Sequence, residues 1–148
     1  MRWRLVDRID AFEPWSAIRG RKAVTFEEVH LPEPLGRRGV LPESLVLGAA
    51  SEFLLWLVAA SSGFERIAFI EGIDGAAFSG EVRMGDVVLF SLETRRRDDS
   101  GIEASFAATA AGRPIASGVL AARLAPLGEC LDREDAEGRF REIHGAPA

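Results

Sequence analysis

The sequence predicts an α+β fold in which a curled antiparallel sheet wraps around one long central helix. Three observations carry that prediction. The run "SLVLGAASEFLLWLVAASSG", residues 44–63, is apolar on nearly every side and holds one charge, Glu52, so it has to be enclosed rather than laid on a surface. The chain after it alternates apolar and polar residues in the manner of strands. The breakers Asp98-Asp99-Ser100-Gly101 and Ala111-Gly112-Arg113 divide its later part into a meander of hairpins.

The elements follow in order. Leu5 to Phe12 and Ala17 to Phe26 are extended runs flanking a turn at Glu13-Pro14-Trp15-Ser16, which makes an opening hairpin. Glu27 to Gly39 contains Pro32, Pro34, Gly36 and Gly39, too many breakers for a regular element, and is a loop of the kind in which function often sits. Pro42 suits a first helical turn, Glu43 lies near the positive end of the helix dipole, and Gly63 stops the helix. Strands are then expected at Arg66–Gly72, Ala76–Val82, Asp86–Arg95, Ile102–Ala110 and Pro114–Leu124. Residues 1–126 are read as the folded domain and 127–148 as a short charged helix and tail, with Leu131, Phe140 and Ile143 as its anchors. A chain of 148 residues that is 47% hydrophobic suits one domain, which should bury roughly 70% of its unfolded surface without disulfides or metal.

Composition narrows the function. A net charge of -5, a pI near 5.1 and the absence of tyrosine disfavour a nucleic-acid partner, which needs basic surface and aromatic platforms. Local basic clusters at Arg19–Lys22, Arg37-Arg38 and Arg95–Arg97 could dock an acidic partner or be solvated faces. The single cysteine, Cys130, and the absence of any Cys/His cluster with metal spacing predict a reducing cytoplasm and no metal or other cofactor. The charged N-terminus leaves no room for an export signal, and the apolar run Leu45–Ala60, interrupted by Glu52, predicts a buried helix rather than a membrane span. Ser44 and Ser51 have no His-Asp pattern around them, which sets a serine hydrolase aside.

Several local signals then line up in one order: "LVDRIDAFEP", "AVTFEE", "GVLPESLVLGAA", "FIEGIDGAAFSGEVRMGDVVLFSLE" and "GRPIASGVLAARL". Together, from about Met1 to Leu124, they resemble the hotdog-fold 3-hydroxyacyl-[acyl-carrier-protein] dehydratases. The resemblance implies a dimer joined through sheet edges and an acyl chain held by thioester to a phosphopantetheine arm, on acyl carrier protein or coenzyme A. It also implies a loop His from one protomer and a helix Glu or Asp from the other as acid and base, with amides at the helix start polarising the thioester carbonyl. On this chain the resemblance places that substrate-binding helix start at Pro42, Glu43, Ser44 and Leu45, of which all but Pro42 carry an N–H, with Gly48 also lining the substrate.

The family's His stands eight residues before the helix-opening Pro, and its acid six residues after. Counted without gaps from Pro42, these positions hold Pro34 and Gly48, neither of which can transfer a proton. His30, with Leu31 and Pro32, copies the family's His-Phe-Pro triplet at a different spacing. Glu52 lies four residues beyond Gly48, on the same helix face one turn on. Because an unpaired buried carboxylate is costly, Glu52 has either a tunnel role or a structural partner. His144, in the charged tail, and Trp56, among the core apolar residues, fit structural roles.

Three readings remain open. The chain is a dehydratase-like acyl-thioester binder without the standard pair, as a homodimer, a higher oligomer or the silent partner of an active paralogue. Alternatively it is an enzyme, a 3-hydroxyacyl-thioester dehydratase or thioesterase using relocated His30 and Glu52. The third reading is a non-enzymatic assembly subunit.

Overall fold

The computed structural model describes residues 4–29 and 39–145. Its elements are β1 (Arg8–Glu13), β2 (Ala17–Ala23), α1 (Phe26–Val29), α2 (Glu43–Ser61), β3 (Arg66–Phe78), β4 (Val87–Arg97), β5 (Gly101–Ala110), β6 (Arg113–Pro126), a 3₁₀ turn (Leu127–Glu129) and α3 (Arg133–His144). The strands form one six-stranded sheet in the order β1-β2-β4-β5-β6-β3, antiparallel at every pair.

The period-2 pattern sets the register. Ile18 opposes Leu92, Gly20 opposes Phe90, and Leu92 opposes Phe106, so inward residues meet inward residues across three strands. Their side chains close on α2, whose Val46, Ala49, Ala50, Phe53, Leu54, Leu57 and Val58 are buried. Helix and sheet approach closely at Gly20. A Cβ there would lie 2.2 Å from the Arg8 carbonyl and 2.5 Å from the Phe53 ring, so only glycine lets the strand pass. Although α2 is long and apolar enough to cross a membrane by composition, half of its most apolar stretch is buried inside the protein.

The helix begins after Pro42, whose backbone (φ -59, ψ 140) caps it without a side-chain hydrogen bond. It ends where Gly63 takes φ +65 and the Phe64 N–H bonds the Ala59 carbonyl at 2.7 Å, a left-handed glycine stop.

Two expectations about the strands are corrected. Where two strands were expected at 66–72 and 76–82 there is one, β3, which ends at Phe78 and stays on β6 through register shifts between Ile70 and Gly72 and between Asp74 and Ala77, leaving residues 79–82 outside any strand. Gly75 at φ +58 lies in the second irregularity, so the gap expected at residues 73–75 is absorbed as a bulge. The second strand stops at Ala23, and residues 26–29, expected to end that strand and begin a loop, form a single helical turn.

As the sheet's outer strand, β3 is exposed at every residue from Glu71 to Ala77, including Ile73 at 41%. At the opposite end of the chain, α3 starts on Asp132, which accepts the Asp135 N–H at 3.0 Å, and packs Ala136 and Ile143 into the core.

Candidate functional site

The start of α2 supplies the first part of the site. The Leu45 N–H already bonds the Pro42 carbonyl at 3.0 Å, leaving the first-turn amides of Glu43 and Ser44 at an exposed helix end that carries partial positive charge.

One and a half turns on, Gly48 faces the N-terminal segment. A Cβ at Gly48 would stand 2.9 Å from Leu5 Cδ1, so the side chain of Leu5 fills the space that a side chain at 48 would need. Glu52, the next residue on that face, is tied to the same segment: the Leu5 N–H donates to Glu52 Oε2 at 2.9 Å, and the Trp56 indole N–H donates to Oε1 at 3.4 Å. Arg139 of α3 closes the group, donating from Nη2 to the Val6 carbonyl at 3.1 Å and lying near enough to Glu52 to favour its charge. Burial nevertheless outweighs these contacts and raises the Glu52 carboxyl above its ordinary pKa.

Beyond Glu52, α2 and α3 enclose a cleft of about 590 Å³ whose walls include Arg4, Leu55, Trp56, Leu131 and Arg139. Its lining mixes the apolar Leu55, Trp56, Leu131 and Ala136 with charged residues of α2 and α3, among them Glu52, Glu134 and Glu142.

The stem of the proline-rich loop is built separately. The Gly39 N–H bonds the Val29 carbonyl at 2.9 Å, and Leu41 N–H bonds the Val82 carbonyl at 2.7 Å. Under this stem lies a buried ion pair between Lys22 and Glu28, whose Oε1 also accepts the Thr25 N–H at 3.0 Å and hydroxyl at 2.7 Å. Burial works against the Glu28 charge, but Lys22 and Thr25 together hold its pKa below the ordinary value.

Of the expected residues, Gly48 and Glu52 are brought together under residues 5 and 6, while Pro42, Glu43, Ser44 and Leu45 form the open helix start. His30 and Pro34 lie outside the described residues. His144 packs on Phe140, ring centroids 5.0 Å apart, and Trp56 sits in the core, so both have structural surroundings. The Arg19–Lys22 cluster is not a free basic face: Lys22 is buried on Glu28 and Arg21 pairs with Asp10 at 3.1 Å. In the Arg95–Arg97 cluster, Arg96 pairs with Glu103 and Arg97 lies over the Trp15 ring. Among the described residues no group of three or more His, Cys, Asp or Glu could hold a metal.

Leu5 and Arg139 are members of the site that sequence reading did not single out, and Trp56, read as core, also donates to Glu52. Trp56 had a signal, its spacing of four from Glu52. Leu5 and Arg139 reach the helix only through tertiary packing and left none.

No protein-family model matches the chain. In sequence it is similar to the 3-hydroxyacyl-[acyl-carrier-protein] dehydratase FabZ of Neisseria meningitidis (serogroup C, strain 053442), at 33% identity over 97 residues, covering 62% of this chain and 65% of the relative. A Caulobacter sp. (strain K31) protein of the same name is 30% identical over 99 residues, 65% of this chain and 61% of the relative. The chain therefore spans less than two thirds of the length of these relatives. In structure it is similar to smu.793 from Streptococcus mutans UA159, solved bound to acetyl CoA, with TM-score 0.68, 12% identity and coverage of 85% and 94%. A hot-dog-like protein from Thermanaerovibrio acidaminovorans superimposes with TM-score 0.65 at 14% identity, covering 87% of this chain and 93% of the other. A hypothetical thioesterase from Streptococcus pneumoniae TIGR4, solved with coenzyme A, gives 0.63 at 12% identity, covering 80% and 85%. The fold is the hotdog fold.

Proposed function

We propose that this divergent hotdog protein of the dehydratase and thioesterase kind binds an acyl thioester, carried by acyl carrier protein or coenzyme A, in fatty-acid or polyketide-type metabolism, without the standard dehydration pair. The observation that carries the reading is Gly48. Where the dehydratases place an acid, this chain has no side chain, and Leu5 takes the room an acid would need.

What remains is a binding frame. The open helix start offers the amides of Glu43 and Ser44 to a carbonyl oxygen, where the dipole favours negative charge. The exposed outer edge of β3 supports pairing with a second hotdog protomer, either another copy or an active paralogue, since an unpaired strand edge is a template for a further strand. A cytoplasmic setting fits the lone, exposed Cys130.

Glu52 supports a second reading, a thioesterase or dehydratase that uses this carboxylate with His30. In its favour, a carboxyl with a raised proton affinity in a cleft is suited to general-base work. Against it, both Glu52 oxygens already accept hydrogen bonds, from Leu5 and Trp56.

Incubation with a 3-hydroxyacyl carrier-protein thioester separates the readings. Binding without enoyl product or free thiol is the expected result. Turnover that disappears in both His30→Ala and Glu52→Gln would overturn it in favour of the second.

A further inference from the structure

The N-terminal segment is tied down at three successive residues. Leu5 donates to Glu52, the Val6 carbonyl accepts from Arg139, and the Asp7 N–H bonds the Arg21 carbonyl at 3.1 Å. Leu5 is 8% exposed and Val6 fully buried, so this segment is core rather than a loose end. Its position on α2 is specific. Leu5 Cδ1 stands against Gly48, between the open helix start at Pro42 and the apolar residues Leu55 and Trp56 that wall the α2–α3 cleft.

We infer that Leu5 is the specificity-determining residue of the acyl site and that its substrates are short-chain acyl thioesters. The inference rests on the acyl-thioester reading above and adds a length limit to it. From Pro42 to Gly48 is six residues, or about 9 Å of helix, the reach of a tail of roughly six to eight carbons. An acyl group whose carbonyl oxygen meets the helix-start amides and whose tail follows α2 comes up against Leu5 at that point. Longer tails need the cleft beyond, and the Leu5 side chain stands in the way. Gly48 and Glu52 are then the seat of this stop: glycine leaves the room that Leu5 fills, and the carboxylate holds its backbone in place.

Calorimetric titration of the full chain with acetyl-, butyryl-, octanoyl- and decanoyl-coenzyme A tests the limit. The wild type should bind acetyl and butyryl thioesters at least tenfold more tightly than decanoyl, with octanoyl, at the limit, between them. In Leu5→Ala that ratio should shrink by at least tenfold. A wild type that binds all four alike, or a Leu5→Ala protein with the wild-type ratio, overturns the length limit and leaves the binding reading intact. Failure of all four ligands to bind overturns the binding reading and the inference with it. Should Leu5→Ala not fold, hydrogen exchange on the wild type gives a second measurement: the Leu5 amide should stay protected with acetyl- and decanoyl-coenzyme A alike. Loss of that protection on adding decanoyl-coenzyme A would show the segment yielding to a long tail, and would overturn the inference.

Discussion

Glu52 shows how one side chain can be well bonded and still be unfavourable as an ion. Its pKa is raised because burial outweighs its hydrogen bonds, so the folded state holds the proton more tightly than the unfolded state does. The stability linked to this group is therefore fully present below its ordinary pKa of 4.5 and is lost as pH rises through the folded value. Glu52→Gln keeps an oxygen to accept the Leu5 N–H and removes the charge, so its melting temperature should exceed the wild type's at pH 7.5, with the difference closing at pH 4. Glu28 has the opposite sign: its pKa is lowered, so its contribution is present above the ordinary value and disappears as pH falls through the folded one. Glu28→Gln leaves the buried Lys22 charge unpaired and should cost about 3–5 kcal/mol in urea denaturation, whereas Lys22→Met with Glu28→Leu should recover most of that loss. Gly20→Ala meets the Arg8 carbonyl and the Phe53 ring, and should destabilise by about 1–3 kcal/mol or more. Gly72→Ala, with nothing near its Cβ, should fall within about 0.5 kcal/mol of wild type in the same measurement.

At the scale of elements, the sequence made the central helix and the meander legible, because both announce themselves by local pattern. Pro42 and Gly63 bracket α2, and the Asp98–Gly101 and Ala111–Arg113 turns separate β4, β5 and β6 where expected. What local pattern could not show was β3 as one strand. Glycines at 72 and 75 suit a turn as well as a bulge, and only the continuous partner β6 decides between them. The site was legible in the same uneven way. Gly48 and Glu52 could be named from their spacing to Pro42, but that Leu5 lies on both depends on a chain direction set forty residues away. β3 also carries the prediction for assembly. Ile73→Asp adds a like charge to an exposed edge that already carries Glu71 and Asp74, so a β3-paired dimer should shift to monomer in sedimentation velocity at micromolar concentration, while the circular dichroism spectrum is unchanged.

For the molecule as a whole, the sheet closes on α2 from one side, and the two ends of the chain cover part of what the sheet leaves open. Arg139 on Val6 joins residues 133 positions apart, and Phe140 packs edge-on to Phe12 of β1 and near Trp56 of α2. Leu5 packs on Gly48 of the central helix and Arg139 ties the Val6 carbonyl to α3, so segments far apart in the chain close together over one face of α2. This closure also bears on synthesis. Leu5 and Val6 are synthesised well before the guanidinium that fixes this segment, which belongs to α3 and lies 133 positions after Val6. That segment waits, unanchored on that side, until α3 has been made, and a nascent chain stalled before residue 139 would lack the Arg139 bond to Val6.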